Sequence, residues 1–438
     1  MMHSEWMSRA LLACTGVAAL VIAVGVGYAS TTRPTLALLA AAIVAVAGAT
    51  VAQPAALPAL AFALVVVTAR VAVGPVDLTV SDVALGVSFW PALFMSPRPF
   101  SRELRQLLWL NAIYQTTTLF TVIQNPFTAN RVEWVHAWLL VSGALIIGWA
   151  AGRAGLAKTA LALLLLSSGI LAAGTVVQGV TQWAVGDFSP VFPQWPYPMH
   201  KNAIGCILGF SAVIAYARPS WLGWPRWGTT VMFWLSVTGI GAAQSRQAMV
   251  GLAIGLVVVS VRNHPERRRS LLILLGIAPV LAVVATMVRD QLASDNIHNS
   301  AFQRLTWFEE SIEAWQQNPW VGTGLRYWYT DTQYNFQPPN GILEVLATAG
   351  VVGLVGFLIM MIGSLVVLWR LDKTYGTLAF ALLLSRLVQG QLDLFWVAVQ
   401  TSIPFLVAGL CLGLAARAAA DSRPRSTPTQ AVPAPTGG

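Results

Sequence analysis

Charge is what this 438-residue chain has least of: Asp, Glu, Lys and Arg together make up 10% of it, against about a quarter in an ordinary soluble domain. That scarcity excludes a free-standing globular protein solvated on every side. Cysteine is nearly absent as well. Cys14, Cys206 and Cys411 are the three present, each inside an apolar run and at no metal-ligand spacing. They read as small core residues, with no disulfide framework and no redox motif. No internal repeat is visible along the chain, and no soluble segment has a core of its own.

What the chain has in quantity is apolar surface, with 56% hydrophobic residues. Runs long enough to cross a hydrocarbon core, which takes about 20 helical residues, recur near 9–30, 35–51, 55–73, 79–96, 104–123, 134–151, 159–185, 202–217, 228–244, 246–261, 270–288, 342–369, 374–390 and 394–416. The sequence therefore predicts an all-α polytopic transmembrane bundle of about 12 to 14 spans. Arg9 before the first run would suit a cleaved signal peptide. The run is longer than the roughly 7 to 15 apolar residues of a signal core, and a second span follows at once, so a retained helix is expected.

Residues 1–288 form the N-terminal membrane helices in this reading, 289–341 an external loop, 342–416 the C-terminal membrane helices and 417–438 a disordered tail rich in Pro, Thr and Ala. Within the loop, Phe302, Leu305, Phe308, Ile312 and Trp315 recur at helical spacing, which predicts a short amphipathic helix lying on the membrane surface. Asn318-Pro319 ends it, and an aromatic, Gly- and Pro-rich segment follows.

Lys and Arg divide unequally between the two sets of connections. One set, with both termini, carries Arg98, Arg102, Arg105, Arg153, Lys158, Arg218, Arg226, Arg262, Arg370, Lys373, Arg417 and others; the opposite set is poorer, with Arg70, Arg131, Lys201, Arg246, Arg304 and Arg326 among its members. The richer side is expected to be cytoplasmic. The net charge of +9 is then topogenic and faces anionic membrane lipids rather than nucleic acid.

The outer cations are the informative ones. Arg246 in "QSRQAMVGLAIG" sits in a connection so short that its flanking helices nearly abut, and an ionisable group at that depth marks a functional site by default. The plainer alternative is a snorkelling anchor. Lys201, Arg304 and Arg326 join it on that side, and Arg meets phosphate oxygens as a bidentate fork. Taken singly, each could equally be solvated or paired with Glu309, Glu310 or Glu313. "HKNAIGCILGF" adds His200 and Asn202 at the head of an apolar run. His200 suits a general base, since its ordinary pKa lies near the working pH, or it simply caps its helix. Arg386, with Asp393 seven residues on, reads as a structural ion pair inside the bundle in preference to a lipid-phosphate contact. Asp77 and Asp82 could bind sugar hydroxyls or pair with Arg70. His136 falls inside a span and His264 on the cytoplasmic side, so neither is offered as catalytic; His298 lies in a polar loop.

Three segments in order, "QSRQAMVGLAIG", "RLTWFEESIEAWQQNPWVGTGLRYW" and "PPNGILEVLATAGVVGLVGFL", resemble the signature of the O-antigen ligase and polymerase superfamily, and "HKNAIGCILGF" is similar to an element of its exopolysaccharide-polymerase-like members. The resemblance covers roughly residues 195–370. It implies a metal-independent, inverting membrane glycosyltransferase without a cofactor. Such an enzyme takes a glycan from an undecaprenyl or related polyprenyl pyrophosphate at the outer face of the bacterial cytoplasmic membrane and passes it to a glycan or lipid-glycan acceptor. Carried over by position, Arg246 and Arg304 would bind pyrophosphate. His200 is the candidate titratable partner, and Lys201, Asn202, Arg326 and Asn340 are candidate substrate ligands. One position departs from the pattern: Pro339 stands where the family usually has a histidine before the helix-heading Asn. His200, His298, Glu309 and Glu344 are the candidates to replace it. A transporter or flippase of lipid-linked or anionic cargo, and a catalytically silent relative, are the competing readings.

Overall fold

The structure is a computed structural model and describes residues 48, 50–73, 76–263, 300–330 and 337–422. The spans expected at 9–30 and 270–288, almost all of the one at 35–51, His264, His298 and most of the tail lie outside the described residues.

The described chain is helical nearly throughout. In order it forms α1 (Ala56–Leu64), a hairpin of β1 (Arg70–Val73) and β2 (Val76–Thr79), α2 (Val80–Met95), α3 (Arg102–Gln124), α4 (Thr128–Trp138), α5 (Ala144–Arg153), α6 (Ala157–Ala184), α7 (Lys201–Ala217), α8 (Arg226–Ala243), α9 (Arg246–Asn263), α10 (Ser300–Gln317), α11 (Gly341–Arg370), α12 (Lys373–Gln389) and α13 (Ala398–Asp421). A π turn at Leu139–Gly143 joins α4 to α5, so Thr128–Arg153 runs as one long element. That element, α6, α11 and α13 are each long and apolar enough to cross a membrane by length and composition. The all-α bundle expected from hydropathy is the fold.

The run at 55–73 is the exception to one span per apolar run. It is helical only to Leu64 and then turns into the antiparallel hairpin, with Arg70 opposite Thr79 and Val73 opposite Val76. Hydropathy alone hides this. Val65, Val66, Val67 and Thr68 are β-branched and favour extended backbone.

Close packing is set by small residues. Gly148 and Gly152 of α5 face Gly409 and Gly413 of α13, and a Cβ on any of the four would run into backbone of the opposite helix: Leu406 and Leu410 on one side, Leu145 and Trp149 on the other. Two small-xxx-small faces thus meet reciprocally, which lets backbones approach where lipid supplies no hydrophobic drive.

α11 is broken at Gly350, whose φ of 66° is open to glycine and strained for other residues. The segment after α10 fills the break. Val351 N–H donates to Pro319 O at 2.9 Å and Val352 N–H to Trp320 O at 3.1 Å, while Thr323 and Gly324 N–H donate to Ala347 O and Thr348 O at 3.1 and 3.0 Å. Irregular backbone is thereby satisfied inside protein. The external helix α10 also sits differently from its apolar stripe: Ser311 and Ala314 are its buried residues, Ala314 against Trp328 and Ala347, whereas Leu305 is 50% exposed.

Gly409→Ala is expected to force α5 and α13 apart and to lower the unfolding temperature in detergent. Gly241→Ala in α8, where an added Cβ meets nothing within 4 Å, should leave stability level or raise it by up to about 1 kcal/mol. Equal melting of the two variants would contradict the packing described.

Candidate active site

Arg386, in α12, is fully buried. A charge there needs several acceptors. Its guanidinium donates to Gln400 Oε1 and Leu394 O, each at 2.7 Å, and to Phe395 O, and it lies over the Phe395 ring with Cζ 4.8 Å from the centroid. The expectation of a structural role holds, but its partners are these carbonyls and an amide. The Asp393 carboxylate, expected as its ion-pair partner, is bound elsewhere.

The connection so held, residues 390–397, collects the functional side chains from four helices. Asp393 accepts from Asn202 Nδ2 at 3.2 Å and from Gln247 Nε2 at 2.7 Å, and Gln247 also reaches Asn202 O at 3.2 Å. Arg304 of α10 donates to Leu392 O at 3.1 Å. Asn340 caps α11 through Ile342 and Leu343 N–H, both at 3.0 Å, and donates to Gln391 O at 3.3 Å. Its amide thus works as a cap and a tie to the connection.

Three cations converge on this place. Lys201 lies within electrostatic reach of Arg246 and Arg304. Burial lowers the Arg304 guanidinium from its ordinary value, Asp393 opposes that shift and Arg246 adds to it. Among the described residues, Asp393 is the carboxylate that bears on Arg304 within this group of cations. Such an arrangement suits an anionic ligand. Lys201 also sits 6.0 Å over the Phe192 ring.

His200 stands at the edge of the cluster as the N-cap of α7, its Nδ1 accepting from Asn202 N–H at 3.3 Å. Burial lowers its pKa, Asp393 opposes and Lys201 adds to the lowering. A neutral ring accepting at Nδ1 carries its proton on Nε2, so it offers an N–H; taking a second proton would break the cap. The cap is intact at neutral pH and is lost as pH falls through a value below the ordinary 6.5.

Arg326 does not join the cluster. It pairs with Glu133 at 3.4 Å and stacks 4.2 Å over the Tyr329 ring. Both line a second, polar cavity with Tyr114, Gln337, Glu344 and Trp396. Glu344, 3% exposed, accepts from Gln337 Nε2 and, at 3.1 Å, from Phe395 N–H. Leu392 and Phe395 are three residues apart, so the chain between the two cavities spans at most about 10 Å. Sequence reasoning missed Glu133 and left His136 aside. His136 Nε2 meets Asp82 Oδ1 at 2.9 Å, and its Nδ1 lies 3.6 Å from Glu133. Asp82 is therefore the partner of His136 rather than of Arg70. The Glu133 to Arg326 pair joins residues far apart in sequence, and no local pattern announces it.

Arg386→Met keeps volume but strands Leu394 O and Gln400 Oε1, while Phe395 O keeps Val397 N–H and the Thr401 hydroxyl. At about 1–3 kcal/mol for each buried group left unsatisfied, unfolding in detergent should become easier by roughly 2 kcal/mol or more. Native stability in this variant would show that the connection is held by something else.

The family model described as O-antigen ligase matches residues 231–358, less than a third of the chain. The match runs from α8 into α11 and contains Arg246, Arg304, Arg326, Asn340 and Glu344. No curated protein matches the chain significantly. Over the matched segment, set in an apolar helical bundle, the chain is similar to the O-antigen ligase family.

Proposed function

We propose that the protein is a membrane glycosyltransferase that polymerises or ligates glycans from a polyprenyl-pyrophosphate donor, with inversion and without a metal ion, at the outer face of the bacterial cytoplasmic membrane. Both termini would be cytoplasmic, the side richer in Lys and Arg. The observation that carries the reading is the mutual electrostatic reach of Lys201, Arg246 and Arg304 around Asp393. Attack by an acceptor hydroxyl oxygen on the anomeric carbon breaks its bond to the pyrophosphate, and the bonding electrons leave with the phosphate oxygen. Fixed guanidinium donors stabilise that charge as it develops, without reorganising.

The acceptor proton needs a base. Glu344 fits that task better than His200, because His200 Nδ1 is engaged as a cap whereas Glu344 lines the neighbouring polar cavity beside Arg326 and Tyr329. It would take the role left vacant by Pro339, with His200 donating from Nε2 to the donor phosphate and Asn202 orienting Asp393. A transport path is less well supported, since the break in α11 is filled by backbone of residues 319–324.

Transfer from a polyprenyl-pyrophosphate oligosaccharide should proceed in proteoliposomes with chelator present. Arg246→Ala and Arg304→Ala should each reduce it by on the order of 10²-fold or more. Glu344→Gln should abolish transfer while donor lipid still binds, and His200→Asn, which keeps a cap, should stay within about tenfold of native. Transfer that survives Arg246→Ala, or survives Glu344→Gln with His200→Asn inactive, would overturn the corresponding assignment.

A further inference from the structure

The three helices α7, α9 and α12 have the arginine cluster at one end and a second cationic cavity at the other. Lys201, Arg246 and Gln389 mark the first end, and Arg218, Arg262 and Lys373 the second. At 1.5 Å per residue, α7 separates them by about 25 Å. The far cavity measures about 350 Å³ and is lined by Arg218, Ser220, Arg262, Lys373, Thr374 and Thr377, with Ala217, Pro219 and Leu378. That is the size of a small-molecule site.

Two of its side chains are not ordinary surface groups. Thr377 is 3% exposed, and its hydroxyl is buried with no hydrogen-bond partner. A buried hydroxyl without a partner is costly, and this one lines the cavity. Arg262 is 7% exposed; it holds Trp369 O and Leu371 O at 2.6 and 2.7 Å and lies 4.5 Å over the Trp369 ring. Carbonyls anchor this guanidinium without neutralising it. Asp372 is the nearby acid, coupled to both Arg262 and Lys373, and it caps α12 through Thr374 N–H at 2.9 Å. Arg218, Arg262 and Lys373 line the cavity together, with Asp372 the acid beside them among the described residues. Because Asp372 also accepts the Tyr375 and Gly376 amides through its carbonyl, the donors left to a ligand are side chains.

We propose that this cavity binds a phosphate group, at the end of the bundle opposite the arginine cluster. Lys373 and Arg218 meet its charge, the Thr377 hydroxyl donates to one of its oxygens, and Arg262 supplies the fixed field behind. The surroundings favour a phospholipid headgroup as the source. Trp369, stacked under the cavity's Arg262, is 50% exposed, and exposed Trp gathers at headgroup depth.

The test follows melting of the full chain in a phosphate-free maltoside detergent, titrated with short-chain phosphatidylglycerol, with inorganic phosphate, or with diacylglycerol. A saturable rise in Tm with phosphatidylglycerol is expected. Thr377→Val and Lys373→Gln should each weaken that binding by roughly tenfold or more, and Thr377→Val, which removes no existing hydrogen bond, should melt at or above the native temperature without ligand. The rise should persist in Arg246→Ala, which separates this cavity from the arginine cluster and from the proposed reaction. A response to phosphatidylglycerol alone assigns a lipid headgroup, and an equal response to inorganic phosphate assigns a free phosphate. No saturable rise with either, an equal rise with diacylglycerol, or native affinity in both variants would overturn the proposal.

Discussion

A single buried guanidinium organises the upper half of this molecule. Arg386 cannot be solvated where it sits, so it gathers the carbonyls of Leu394 and Phe395 and the amide of Gln400 around itself, and in doing so fixes a connection with no regular structure of its own. Polar contacts from four helices are made to that connection: Arg304 to Leu392, Asn202 and Gln247 to Asp393, Glu344 to Phe395, Asn340 to Gln391. Helices that lie far apart in sequence are thereby held in register. The same device carries the electrostatics, because Asp393 offsets the burial of Arg304 beside Arg246.

Around this hub the bundle uses two solutions to the shortage of hydrophobic drive in lipid. Reciprocal glycines bring α5 and α13 into backbone contact, and the break at Gly350 is closed by residues 319–324. The second links the external segment to the membrane helices, since the chain that plugs α11 continues directly into Arg326 and the polar cavity. Positioning of α10, and with it Arg304, depends on the same docking: Ala314 packs on Ala347, one turn before the break.

Much of the scaffold was legible in the sequence because hydropathy is a local signal. The run at 104–123 became Arg102–Gln124, and that at 342–369 became Gly341–Arg370. Helical spacing found α10, but its stripe of Phe308, Ile312 and Trp315 does not name the face that packs, which is made by Ser311 and Ala314. The β-hairpin after Leu64 escaped because its apolar run reads by hydropathy as a span, and the break at Gly350 because it depends on backbone partners elsewhere. At the site, Lys201, Arg246 and Arg304 were expected on one side, and they are within electrostatic reach of one another. Arg326 lies instead against Glu133, and Asn340 is a helix cap. The first difference comes from a pairing across more than a hundred residues, for which composition and spacing carry no signal; the second is a local cap on Ile342 and Leu343, a role open to any Asn at a helix start.

The central claim is that Lys201, Arg246 and Arg304 form one anion site held open by Asp393. An electron cryomicroscopy map of the protein with a polyprenyl pyrophosphate in a lipid nanodisc tests it most directly. The account predicts pyrophosphate density bounded by those three side chains, with the prenyl chain leading into lipid. Density seated away from Arg246, or Arg246 and Arg304 turned to separate surfaces with the lipid bound, would contradict it.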